Sequence, residues 1–304
     1  MYTYPHTLIV IAGPTAVGKT DLAIDLALEF QTEIVSADSR QFYRETNLGT
    51  AKPSPEELAR VPHHFIDSHS IHEEYDVKQY EQDVLVLVEK LFQKHPVVIL
   101  TGGSGLYIDA VCKGFDEMPD IPAEVRQNII CSYQQHGLVW LQEAVAQADP
   151  NYFAIVDQQN PQRLMRALEV CRATGKPYSS FRQQKTVERP FHILKIALER
   201  DREELYTRID QRMDAMLQAG LLEEARSLYP LKALNALQTV GYSEIFGYLD
   251  GDYDWEEAVR LLKRNSRRYA KRQLTWFRRD KGYHWFHPSQ VGEIKTWIRD
   301  QLNG

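Results

Sequence analysis

The chain has 304 residues, 43% apolar and 26% charged, and a net charge of −6 at neutral pH. That is an ordinary globular composition with room for about two domains, and it excludes fibrous or low-complexity chains. No apolar run approaches the roughly 20 residues of a membrane span, and Cys112, Cys131 and Cys171 are too scattered for a disulfide framework or zinc cluster, so a reducing, cytoplasmic setting is expected.

The first strand is expected over residues 8–12. It runs directly into "GPTAVGKT" (13–20), which fits G-x-x-x-x-G-K-[ST]. The loop Gly13, Pro14, Thr15, Ala16, Val17, Gly18, Lys19 and Thr20 is therefore read as phosphate-binding. Backbone N–H groups converge there at the start of a helix over 19–30, Lys19 adds a point charge, and the Thr20 hydroxyl can bind Mg²⁺. The apolar lead-in is a strand rather than a signal peptide.

A second strand over 33–37 ends in "SADSRQFY", which puts Asp38 at its carboxyl end. A carboxylate there can be a general base, a water-mediated metal ligand or a helix cap. His63 and His64 are adjacent, so they face different ways and read as structural rather than metal-binding. A helix follows over 77–94, then a third strand over 97–101 ending in "TGGSG". Ser104 is a hydrogen-bond donor or a turn residue. P-loop kinases usually place a Mg²⁺-holding Asp at the end of such a strand. This one lacks it, which weakens a kinase reading.

From 115 to about 185 the texture is helical. Asn160 and Asp149 act as caps, each followed by a proline at the first helical position. A strand returns over 191–198, as if a helical insertion interrupted an α/β core. Asp201 then opens a long helix, with Glu204 completing a capping-box-like pair and Gly220 ending it. Arg212 lies on that helix, where an arginine is ordinarily solvated or salt-bridged. The remainder reads as helical. Within 263–279 lie eight of the 36 Lys and Arg and no acid. Arg264, Arg267, Arg268, Lys271 and Arg272 form one helical stripe with no acid at i±4 to neutralise it. A nucleic-acid backbone contact is the expectation.

In order along almost the whole chain, "GPTAVGKT", "SADSRQFY", "LGTAKPSPEE", "VPHHFID", "TGGSGLYIDA", "NPQRLMRALEV", "RIDQRMDAMLQAGLLEE", "TVGYSEI" and "RRYAKRQLTWFR" resemble the tRNA dimethylallyltransferase (tRNA isopentenyltransferase) family, in its compact bacterial form. The resemblance implies an α/β fold: a P-loop NTPase-like parallel sheet flanked by helices, over 1–114 and 187–304. An all-helical insertion domain contacting tRNA would span 115–186. It implies transfer of the dimethylallyl group from dimethylallyl diphosphate to N6 of adenosine 37, in tRNAs reading codons that begin with U. The enzyme would be a cytoplasmic monomer acting on the anticodon stem-loop. By the same resemblance Asp38 is the base, Ser104 stands where the family often has Thr, and Arg212 faces the diphosphate, with Mg²⁺ at Thr20. The tRNA contacts would be Asp38, Ser39, Arg40, Gln41, Ser104, Arg126, Gln162, Arg163, Leu164, Met165 and Arg166. The alternatives are a prenyltransferase of free adenine nucleotides, which needs neither the insertion nor the basic stripe, and a P-loop kinase or RNA-binding NTPase.

Overall fold

A computed structural model describes residues 3–116, 118–182 and 186–304. The chain divides into two compact units, Met1–Cys112 with Arg189–Gly304, and Lys113–Glu188.

The larger unit starts with β1 (Thr7–Ala12), all six residues of which are buried. It continues through α1 (Lys19–Phe30), β2 (Ile34–Ser36), α2 (Pro55–Arg60), β3 (His63–His64), α3 (Val77–Phe92), β4 (Val97–Gly102) and α4 (Gly105–Lys113). The smaller unit supplies α5 (Ala123–Ala148), α6 (Pro150–Phe153) and α7 (Pro161–Thr174). The chain then returns through β5 (His192–Leu198), α8 (Arg202–Gln218), α9 (Leu221–Leu228), α10 (Ser243–Asp250), α11 (Trp255–Phe277), β6 (His284–Phe286) and α12 (Val291–Asn303).

Among the described residues the strands form one parallel sheet in the order β3-β2-β4-β1-β5-β6. Thr7 pairs with Val97 on one side of β1 and with His192 on the other. Side-chain alternation sends Ile9 and Ile11 into a core with α1, α8 and α12, and Leu8, Val10 and Ala12 into a second core with α3 and α4. Burial on both faces explains why this strand reads as an unbroken apolar run. Ligands of such sheets sit beyond the carboxyl ends of the strands. Here those ends carry the three loops that the sequence singles out.

Most expected boundaries agree within a residue or two. Two strands were not anticipated. β3 is a two-residue strand at the sheet edge, and β6 is a three-residue strand inside a stretch read as helical; both are too short for a period-2 pattern. As strand neighbours, His63 and His64 do point apart: His63 Nδ1 lies 2.8 Å from the Val61 carbonyl oxygen, and His64 Nε2 2.6 Å from Glu33. The capping box at Asp201 is absent. The Asp201 side chain makes no cap hydrogen bond, and Glu204 turns instead to Arg200 and to His287, 3.2 Å away. Asn160 does cap α7, accepting from the Arg163 N–H at 3.2 Å, and Asp149 caps α6, accepting from Tyr152 at 2.9 Å. All three cysteines are free thiols. Among the described residues no helix is long and apolar enough to cross a membrane.

Candidate active site

The glycine loop joins β1 to α1. Gly13 takes φ 152°, and a Cβ there would lie 2.9 Å from the Leu198 carbonyl oxygen on β5. Gly18 takes φ 110° as the N-cap of α1, which has no side-chain cap, so the first-turn N–H groups face the loop. Cations fix the loop's carbonyls: Lys19 Nζ donates to Pro14 at 2.8 Å, Arg208 to Ala16 at 2.9 Å and Arg200 to Val17 at 2.8 Å.

Thr15, Lys19 and Thr20 line a pocket with Asp38 and Arg212. Arg212 reaches in from α8, donating to the Ala51 carbonyl at 3.1 Å and standing 3.5 Å from the Thr15 hydroxyl. It is thus neither a freely solvated arginine nor one committed to an acid. Desolvation lowers the Lys19 pKa to about 8, with Asp38 opposing and Arg212 adding to the shift. Desolvation likewise lowers that of Arg212, against the pull of Asp38 and Glu57. Two desolvated cations beside one carboxylate leave the pocket short of negative charge, the electrostatic condition for an anion site.

Asp38 follows β2. Its Oδ1 accepts from the Arg40 N–H at 3.1 Å, and the Gln41 N–H donates to its carbonyl at 3.1 Å. It caps this turn, not a helix, and its carboxylate faces the pocket. Ser104 ties the two loops together: its Oγ accepts from the Ser39 N–H at 3.0 Å and donates to Ser39 Oγ at 3.1 Å. It is a structural donor here rather than a wall of the pocket. Arg40 and Gln41 are likewise engaged. Arg40 donates to the carbonyls of Asn235 and Ala236 at 2.9 and 3.3 Å, and Gln41 Nε2 to that of Ala51 at 3.1 Å.

Several pocket residues escaped the motif reading. Tyr269 and Gln273, one turn apart on α11, close one wall, and Met213, Met216 and Val240 make an apolar side. "RIDQRMDAMLQAGLLEE", "TVGYSEI" and "RRYAKRQLTWFR" contained them, but a buried glutamine inside a run of arginines gives no local signal of its role.

A family model described as IPP transferase matches residues 41–280. The chain belongs to the IPP transferase family. It is 54% identical over 97% of its length to tRNA dimethylallyltransferase 1 of Phocaeicola vulgatus, covering 98% of that protein. It is 52% identical to the protein of the same name from Bacteroides fragilis, again over 97% of this chain and 98% of the relative. Among solved structures it is similar to the full-length tRNA isopentenylpyrophosphate transferase of Bacillus halodurans, with TM-score 0.72, 35% identity, and coverage of 98% and 97% of the two chains. It also resembles a eukaryotic dimethylallyltransferase captured acting on tRNA, at TM-score 0.71 and 26% identity, over 89% of this chain and 69% of that one.

In this IPP transferase the smaller unit holds the other expected contacts. Gln162 and Arg163 are exposed in the first turn of α7. Arg166 and Arg126 converge on the buried carboxylate of Glu169, at 3.4 and 3.7 Å. Leu164 corrects the expectation: its side chain is fully buried in the unit's core, and Met165 packs half-buried against the same core. An apolar residue at that helical phase faces its own core, so Leu164 has no side-chain surface for RNA.

The basic stripe on α11 also needs correction. Arg267 is held by both oxygens of Asp210 at 2.6 Å, and Lys263 by Asp214 at 2.6 Å; both acids lie on α8. Neutralisation comes from a neighbouring helix, which i±4 spacing does not reveal. Arg268 and Arg272, on the flank turned from those acids, remain exposed, as do Lys271 on the α8 side and Arg279 just past the helix.

Proposed function

We propose that this protein transfers the dimethylallyl group from dimethylallyl diphosphate to N6 of adenosine 37 in tRNAs reading codons that begin with U, releasing diphosphate. The observation that carries the proposal is one pocket in which Asp38 faces the glycine loop, Lys19 and Arg212. A kinase or hydrolase would use that cradle to hold a nucleotide. A carboxylate across from it suits an acceptor that must lose a proton to an alkylating carbon.

In this mechanism the loop N–H groups, Lys19 and Arg212 hold the diphosphate, while Met213, Met216 and Val240 receive the hydrocarbon. The allylic C–O bond breaks as negative charge grows on the departing diphosphate, where fixed cations stabilise it most. N6 of the unstacked adenine bonds to the allylic carbon, and the proton it loses passes to the Asp38 carboxylate. Mg²⁺ fits here, since the Thr20 hydroxyl is a hard oxygen ligand lining the pocket that would hold the diphosphate. A cation held largely by phosphate oxygens needs few protein ligands. When bound, it would neutralise charge on the leaving diphosphate.

Recognition of the anticodon stem-loop falls to Ser39, Arg40 and Gln41 beside Asp38, to Arg126, Gln162, Arg163 and Arg166 on the helical unit, and to the exposed arginines of α11. Guanidinium and amide groups suit splayed bases and their phosphates. The relatives' action on tRNA supports this assignment. We take the enzyme to work as a monomer in the cytoplasm. Incubation with labelled dimethylallyl diphosphate and Mg²⁺, with unmodified tRNA, AMP or ATP as acceptor, tests the proposal. Label is expected in tRNA alone. Label in a mononucleotide would overturn the acceptor, and no transfer would overturn the reaction.

A further inference from the structure

Gln273 sits in the middle of α11 with 5% of its surface exposed. A glutamine so buried has to satisfy both ends of its amide. It does so across the site. Oε1 accepts from the Thr15 N–H of the glycine loop at 2.8 Å, and Nε2 donates to the Gly103 carbonyl at 2.9 Å. Gly103 has no side chain because a Cβ there would lie 2.2 Å from Nε2. The next residue, Ser104, holds Ser39, and Ser39 adjoins Asp38. One amide therefore joins the phosphate loop to the loop after β4, which Ser104 in turn ties to the loop that carries the carboxylate.

We infer that Gln273 is a positioning residue that sets the register between the diphosphate cradle and the Asp38 loop. The inference rests on the proposed transfer for its kinetic consequence, but not for its structural one. A group displaced by about 1 Å can lower turnover 100-fold while leaving binding nearly intact. Gln273 thus acts on kcat rather than on capture of the diphosphate.

Two variants test this. Gln273→Met keeps the length and removes both hydrogen bonds. It is expected to lower kcat for transfer roughly 10- to 100-fold, with the dissociation constant for inorganic diphosphate within about 3-fold of the parent. Gln273→Glu keeps the acceptor and makes the donor pH-dependent. Protonated, the introduced carboxyl group can donate to the Gly103 carbonyl; ionised, it repels that oxygen. Burial raises the pKa of this carboxyl, so the ratio of the variant's kcat to the parent's should climb about 10-fold or more from pH 8.5 to pH 6. A role confined to stability would lower the melting temperature without that pH-dependent rescue.

Amide hydrogen exchange gives a readout independent of the acceptor. Inorganic diphosphate should slow exchange across 36–41 and 101–105 in the parent. In Gln273→Met it should slow only the glycine loop and the start of α1. A Met variant with kcat within 3-fold of the parent, a flat pH ratio, or unchanged spread of protection would each overturn the inference. If the parent itself transfers nothing to tRNA, the proposed function fails, and the exchange pattern still decides the role of Gln273.

Discussion

Lys19 offers the most direct test of the electrostatics. Its pKa of about 8 in the free protein means that the site loses much of its positive charge in a mildly alkaline solution. A bound diphosphate returns the pKa toward its ordinary value, so binding above pH 8 must take up a proton. With the free-site pKa at 8, the protonated fraction falls about tenfold between pH 7 and pH 9, and donor affinity should fall by about the same factor. The phosphates' own ionisations lie near pH 6 and do not intrude. Titration calorimetry at pH 9 in two buffers of different ionisation enthalpy should register uptake of nearly one proton. The folded pKa lies below the unfolded value of 10.5, so this group also adds stability to the free protein as pH rises from about 8 to 10.5. Lys19→Arg cannot lose its proton, and its donor affinity, though weaker, should be level over the same range. A pH-independent affinity in the parent, or the same slope in Lys19→Arg, would refute the account.

Replacing Asp38 with Asn preserves an acceptor for the Arg40 N–H and removes the base; kcat should fall roughly 10²- to 10⁴-fold with tRNA affinity little changed, measured by single turnover and filter binding. Arg268→Ala should reduce the slope of log affinity for tRNA against log salt by about 0.7 to 1, whereas Arg267→Ala, already committed to Asp210, should change it by much less. A Cβ on Gly102 would lie 2.2 Å from the Ala37 carbonyl oxygen. Gly102→Ala should therefore lower stability by about 3 kcal/mol, visible as a lowered urea midpoint, and an unchanged midpoint would mean that the two strand ends separate freely.

The strands and loops at the head of the chain were legible because each combines a local pattern with turn chemistry. An unbroken apolar run such as "LIVIA" followed by glycine or serine already says strand, buried on both faces, ligand at its end. β3 and β6 were not legible, since two or three residues in a parallel edge are specified by their neighbours rather than by their own period. The same limit explains the site. Asp38 and Lys19 stand in recognisable motifs, but Arg212 matters because α8 brings it over Thr15, and Gln273 because α11 crosses both loops. Leu164 and Arg267 show the converse. A motif or a stripe names candidates, and only packing decides which flank is turned inward or neutralised.

The sheet order has a consequence for how the chain is made. β1 is the first strand synthesised, yet one of its two hydrogen-bonding edges is filled only by β5, after the whole 113–188 unit has been translated. Until then an apolar strand carries an open ladder, the state most exposed to pairing with another chain. The helical unit closes its own core from neighbouring segments and can form in the interval. A nascent chain stalled before residue 192 therefore carries a finished insertion and an unfinished sheet, and such a truncated product should aggregate through β1 rather than through the helices.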